Sequence, residues 1–330
     1  MTTSLLRAVL ITAAFATGSA AAQTSLPAPG FHHLHLNATD PEAAIGFYLR
    51  QFPSTSRTSW GGMPALASPN NVLVLFSRVN TPPAADPEAT AFWHFGWHVT
   101  DVRRNLRAYG QRSEVTLAPL YTGDGGGSVF VSSDTWRGTG GVLGLTQAQI
   151  ADAKSRGVQP AGGGGFAYLL GPDKALVEYV GDMPAERFNH VHLYQEDPFC
   201  AQLWYRQHLN APLPADTELL TEADCKVPRG PDRTWPALLP EGMFRTPTAG
   251  VLFGDVSMRW YPRQGSVPLQ PTRGRLMDHV ALSVTDLDAW ITKLSSENVR
   301  FLQEEYRLGD TRAVMIEGPS REALELVEIK

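Results

Sequence analysis

Thiols are scarce in this 330-residue chain: Cys200 and Cys225 are its two cysteines. Neither belongs to a Cys-x-x-Cys pair, which argues against a thiolate metal site. In an oxidising compartment the two could close a disulfide contributing roughly 3 kcal/mol, or they could remain free thiols; the sequence leaves both readings open. Charge is also sparse, at 18% of residues, with a net formal charge of −5 and no cluster of Lys or Arg. That balance speaks against a nucleic-acid or anionic-membrane partner. No apolar run reaches the about 20 residues needed to cross a bilayer, so no membrane span is expected. The glycine-rich runs "YTGDGGGSVFVSSDTWRGTGGVLG" and "AGGGG" lack the GxxxxGK[ST] pattern of a phosphate loop. They read instead as a long insert over a cleft or into solvent.

What remains is a chain that is 43% apolar and longer than one hydrophobic core usually accommodates. It begins with MTTSLLR, continues with the apolar run AVLITAAFATG, and ends this opening with SAAAQ, where Ala20 and Ala22 are spaced for cleavage before Gln23. Residues 1–22 therefore read as a signal peptide, and a periplasmic or secreted protein is expected. Removing this leader, whose one charge is Arg7, makes the chain one unit more negative.

One pattern occurs four times: "HLHLNATD" from His33 to Asp40, "HFGWHVTD" from His94 to Asp101, "HVHLYQED" from His190 to Asp197, and "HVALSVTD" from His279 to Asp286. Each segment up to the aspartate alternates as a strand, and the aspartate stands where a helix N-cap belongs. Pro41 and Pro198 follow two of these aspartates, at the helical position that best tolerates proline. The helices that follow show apolar residues at three- and four-residue spacing: Ala44, Ile45, Tyr48 and Leu49; Val102, Leu106 and Tyr109; Leu203, Trp204 and Leu209; Leu287, Trp290, Ile291 and Leu294. Short β-rich runs come next. The repeated unit is thus strand, helix and about three strands, which needs a partner to bury its sheet. Pairing consecutive units puts domains at 28–182 and 185–330, with the boundary near "GDMPAERF".

The histidine-to-aspartate spacing, Phe47-Tyr48 in the first helix and "HVALSVTDL" resemble the vicinal oxygen chelate superfamily of glyoxalases, bleomycin-resistance proteins and extradiol dioxygenases. The resemblance covers almost the whole chain after the leader. It implies an α+β fold of four βαβββ modules paired into two cupped, open-barrel domains, each around a divalent metal.

Period-two alternation puts His33 and His35 on one face, likewise His190 and His192, and likewise His94, Gly96 and His98. "GPDKALVE" and "GPSREALE" place Glu178 and Glu325 six residues after Pro172 and Pro319, in apolar terminal strands where an ionised carboxylate is costly without a cation or a partner. The resemblance assigns His33, His94 and Glu178 to one metal and His190, His279 and Glu325 to a second. Two histidines and one carboxylate suit Fe(II) best, with Mn(II) or Zn(II) possible. The implied partner is a small-molecule substrate with vicinal oxygens. The resemblance to two-domain extradiol enzymes, whose second domain usually holds the metal, favours His190, His279 and Glu325. Tyr168, His35 and His98, however, are candidate catalytic groups in the first cleft, and with the glycine-rich insert they favour that cleft as the active one.

Two departures from the family narrow the chemistry. Glyoxalase-type sites take a fourth ligand from the last strand of the first unit, where counting gives Leu75, and Arg259, Trp260 or Tyr261 in the third unit. Extradiol dioxygenases add a histidine that residues 155–161 lack, and their tyrosine position is Met315 in the fourth unit. The competing expectation is a metal-free protein that sequesters aromatic ligands, to which Trp93 and Trp97 beside His94 would suit a pocket.

Overall fold

The computed structural model describes residues 26–84, 89–122, 128–134, 142–143, 147–159, 162–215, 217–218, 220–226, 243–244, 247–263 and 267–329. The expected leader, residues 1–22, and parts of both glycine-rich runs lie outside these described residues.

Module 1 comprises β1 (Gly30–Ala38), α1 (Pro41–Gln51), β2 (Ser56–Trp60), β3 (Met63–Ala67) and β4 (Leu73–Arg78). Module 2 begins with β5 (Phe92–His98), α2 (Val102–Tyr109) and β6 (Thr116–Ala118). Its insert carries the short strands β7 (Tyr121–Thr122), β8 (Ser128–Val129) and β9 (Val142–Leu143) and helix α3 (Gln147–Ser155), before β10 (Phe166–Leu170) and β11 (Leu176–Val180). Module 3 has β12 (Arg187–Gln195), α4 (Pro198–Leu209), β13 (Met243–Phe244), β14 (Ala249–Phe253) and β15 (Val256–Pro262). Module 4 has β16 (Met277–Val284), α5 (Leu287–Ser296), β17 (Phe301–Leu308), β18 (Thr311–Glu317) and β19 (Ala323–Glu328). The fold is α+β, with four such modules forming two mixed sheets.

The modules do not pair in sequence order. One sheet of eight strands runs β17-β18-β19-β16-β1-β4-β3-β2, uniting modules 4 and 1; a second of seven runs β14-β15-β12-β5-β11-β10-β6, uniting modules 3 and 2. This replaces the expected division at 28–182 and 185–330. The physical reason lies at the centre of each sheet. Every module presents its first strand as an open edge, and such edges must be paired. "GDMPAERF" is the short return from β11 to β12, which lets β12 lie antiparallel to β5 in the same sheet as β11, with Arg187 opposite His98 and His192 opposite His94. The outer modules then meet, β1 against β16, with His35 opposite His279 and His33 opposite Ala281.

Asp40, Asp101 and Asp286 cap α1, α2 and α5 as expected, each accepting backbone N–H bonds in the first turn. The stripe expected on α4 differs. Leu203 and Trp204 are half-buried, while Gln202 and Tyr205 are buried. Both polar heads find partners that make burial tolerable: Gln202 donates to the Gly250 carbonyl at 2.6 Å and Tyr205 donates to Glu322 at 2.7 Å. The main core spans both sheets. Phe52 of α1's C-cap stacks on Trp97 of the seven-stranded sheet at 4.5 Å, and Phe31 of β1 meets Phe188 of β12 at 5.6 Å. Alternation then leaves the opposite face of each central strand to its histidines. Cys200 and Cys225 form a disulfide across 25 residues, so the free-thiol reading does not hold.

Candidate metal centres

In the eight-stranded sheet, His33 of β1, His279 of β16 and Glu325 of β19 converge and are all buried. The Nε2 atoms of His33 and His279 lie 3.3 and 3.7 Å from the same carboxylate oxygen, Oε2 of Glu325. Donors about 2.1 Å from one ion lie about 3.0–3.4 Å apart, so the three atoms already approach the spacing of a shared ligand sphere. Among the described residues none of the three atoms has a hydrogen-bond partner. Burying such groups unsatisfied costs about 1–3 kcal/mol each, which a divalent cation between them removes. On this test the residues fit the metal that the resemblance implies.

The other atoms of these side chains are held elsewhere. His279 Nδ1 is 2.6 Å from Oδ1 of Asp278, which also meets Arg273 at 3.2 Å, while the other Asp278 oxygen accepts from the Gly274 amide at 2.6 Å. His33 Nδ1 lies 2.7 Å from Nδ1 of His32. Glu325 Oε1 accepts from the Tyr306 hydroxyl. Fixing one ring nitrogen aims the other. Burial, then the neighbouring imidazoles of His279, His32 and His35, hold His33 well below its ordinary pKa, which favours the neutral form a metal takes. Burial also pulls His279 down, but its hydrogen bond to Asp278 and the nearby Glu325 charge outweigh that and raise it. Burial and the Glu325 charge raise Tyr306, keeping it a proton donor.

The seven-stranded sheet repeats the arrangement with His94 of β5, Glu178 of β11 and His190 of β12. His94 Nε2 is 3.0 Å from Glu178 Oε2, and His190 Nε2 is 3.8 Å from Oε1. His190 Nδ1 is placed 3.0 Å from Asn189 Oδ1. The cup here is aromatic: Trp93, Tyr168, Tyr194 and Tyr261 form a cluster with Leu120 and Leu269, and the Tyr168 ring lies 5.0 Å from that of His94.

The six residues therefore form two clusters of three, but not the two that were expected. His33 does not share a sheet with His94 and Glu178, nor His190 with His279 and Glu325, because the modules pair one with four and two with three. The triad of His33, His94 and Glu178, expected as the active centre, is therefore not assembled. Tyr168 sits opposite Glu178 on β10. His35 lies beside His33 and His279. His98 stands apart at the end of β5, opposite Arg187 in the ladder and outside the His94 group.

Sequence reasoning assigned no role to Tyr306, Asp278 or Asn189. A signal for the latter two existed: in the units containing "HH", "NH" and "DH", the residue just before the first histidine bonds its Nδ1. Tyr306 offered none, since counting back from Glu325 leads to β18 and Met315, whereas Tyr306 arrives from β17.

Burial and Arg187 lower His98 to about 4, and burial lowers His32 to about 4 despite the Glu325 charge. A histidine depressed in the fold contributes stability present above its ordinary 6.5 and lost as pH falls towards 4. These two rings are accordingly expected to lower the denaturant midpoint of the metal-free protein as pH falls between about 6.5 and 4, whereas the raised His279 loses its contribution as pH rises above 6.5. A midpoint constant through that window would contradict the burial of these rings.

Residues 187–326, the third and fourth modules, match the family model Glyoxalase/Bleomycin resistance protein/Dioxygenase superfamily. The chain is similar in structure to glyoxalase I from Zea mays, with 15% identity, 91% of this chain and 92% of that chain covered, and a TM-score of 0.57. It is also similar to a proposed dioxygenase from Bacillus subtilis, with 10% identity, coverage of 92% and 86%, and a TM-score of 0.50. No curated protein matches the sequence.

Proposed function

Because this chain belongs, through residues 187–326, to the Glyoxalase/Bleomycin resistance protein/Dioxygenase superfamily, we propose that it is an exported metal-dependent enzyme that binds a small substrate through adjacent oxygens. The observation that carries this is the convergence of two imidazole nitrogens and one carboxylate oxygen, all buried and without hydrogen-bond partners among the described residues, at His33, His279 and Glu325. A divalent ion held there supplies Lewis acidity towards two neighbouring oxygens. Fe(II) suits two histidines and a carboxylate best, with Mn(II) or Zn(II) as alternatives. Tyr306 fixes one oxygen of Glu325, leaving the other towards the histidines. In the second centre Tyr168 is the candidate proton donor beside His94, and the aromatic cup gives a substrate ring apolar walls. Lyase, isomerase and dioxygenase reactions all fit this plan. The leader sequence and the Cys200–Cys225 disulfide support a periplasmic or secreted location.

The test is incubation of the purified protein with Fe(II) under anaerobic conditions, and separately with Mn(II) and Zn(II), followed by desalting, metal analysis and assay. Retained metal is expected, with turnover of either a 2-oxoaldehyde hemithioacetal or, in the presence of dioxygen, a catechol. Protein that stays metal-free after all three incubations, yet whose tryptophan fluorescence is quenched by aromatic ligands, would favour sequestration instead.

A further inference from the structure

The sheet registers contain a substitution pattern that the triads alone leave unexplained. Two residues beyond each first histidine, the parallel neighbour strand places one particular side chain opposite. In modules 2 and 4 these pairs are Gly96 with Glu178 and Ala281 with Glu325. In modules 1 and 3 they are His35 with Leu75 and His192 with Arg259. Where the carboxylate is present, the position beside it is small; where the carboxylate is replaced by Leu75 or Arg259, the position beside it is a histidine. Each cluster joins one module of each kind.

From this exchange we infer that His35 and His192 are metal ligands, so that each centre has three histidines and one glutamate, with two donors from each module. The inference rests on the metal-dependent reading above and specifies its donor set. The geometry is complete in the seven-stranded sheet; in the eight-stranded sheet His35 groups with His33 and His279, while of these three only His33 and His279 approach Glu325. His192 Nδ1 lies 2.8 Å from His94 Nε2, within the group formed by His94, Glu178, His190 and His192. One atom from each of His33, His35 and His279 lies within 4.8 Å of the others. His35 is 7% exposed; its Nε2 is 2.8 Å from Ser77 Oγ, and its buried Nδ1 has no hydrogen-bond partner among the described residues. With Nε2 held by Ser77, Nδ1 is the nitrogen His35 has left for a ligand, and it is likewise Nδ1 of His192 that meets His94. Two facing imidazole nitrogens 2.8 Å apart must otherwise share a proton. A common cation accepts both lone pairs, at the donor spacing of about 3 Å that a shared ion sets.

The experiment is Co(II) loading of the full chain, read by metal analysis, visible absorption and X-ray absorption, which counts imidazoles per metal without any variant. About two Co(II) per chain with about three imidazoles each are expected. His35→Gln and His192→Gln should each weaken one site by more than the roughly 10–100-fold that loss of an outer-shell partner costs, and shift its Co(II) spectrum. His208→Gln, on α4, serves as a control that leaves both sites intact. Two bound Co(II) with two imidazoles each, and unchanged spectra and affinity in both variants, would overturn this inference while leaving the metal reading standing. A wild-type chain that takes up no Co(II) would overturn both.

Discussion

The double variant His33→Ala/His279→Ala is expected to retain about one metal ion per chain, whereas His33→Ala/His94→Ala retains none, if each centre needs both central-strand histidines. Consecutive pairing of the modules would give the reverse. The expectation follows from the sheets: His33 and His279 approach the same oxygen of Glu325, while His94 serves Glu178 in the other sheet. Removing His33 and His279 together therefore disables one centre twice, and removing His33 and His94 disables each centre once. Metal analysis after desalting reads the outcome, with circular dichroism to show that both variants remain folded. One retained ion in the His33/His94 variant and none in the His33/His279 variant would refute the pairing.

The elements themselves were legible because their signals are local. A histidine, six alternating residues and a capping aspartate define a strand and helix whatever lies beside them, and Asp40, Asp101 and Asp286 cap as that pattern demands. The carboxylates of Glu178 and Glu325 were visible because a charge in an apolar strand requires compensation. The partner of each module was not visible. All four first strands carry the same alternation, so any could pair with any, and the choice depends on the length and path of the connectors. The partners Asp278 and Asn189 were missed because they stand on the intervening side of the alternation, where a side chain is ordinarily assigned to the opposite face. A bulge in each central ladder, between Met277 and His279 in β16 and between Phe188 and His190 in β12, turns the residue before the histidine towards its ring. Tyr306 was hidden for a different reason: it comes from an edge strand rich in charge, "FLQEEYRL", where one aromatic carries no period.

Gly96→Val is expected to abolish metal binding at the seven-stranded centre alone and to lower stability by about 1–3 kcal/mol through overpacking. A Cβ on Gly96 would stand 2.2 and 2.4 Å from Cε1 and Nε2 of His190 and 2.9 Å from the Glu178 carbonyl oxygen. The ring has little room to give way, since it stacks on His192 at 4.1 Å and its Nδ1 is placed against Asn189. Ala281 occupies the matching place opposite His33 in the other sheet, so a single methyl can be accommodated where the ring lies differently, and the branched valine is the sharper probe. Bound metal should fall from about two ions per chain to about one, and the remaining ion should be lost when His279→Ala is added. An unchanged denaturant midpoint with both ions retained would mean that the His190 imidazole does not cross above Gly96, and with it would go the close approach of β5 and β12 on which the second centre is built.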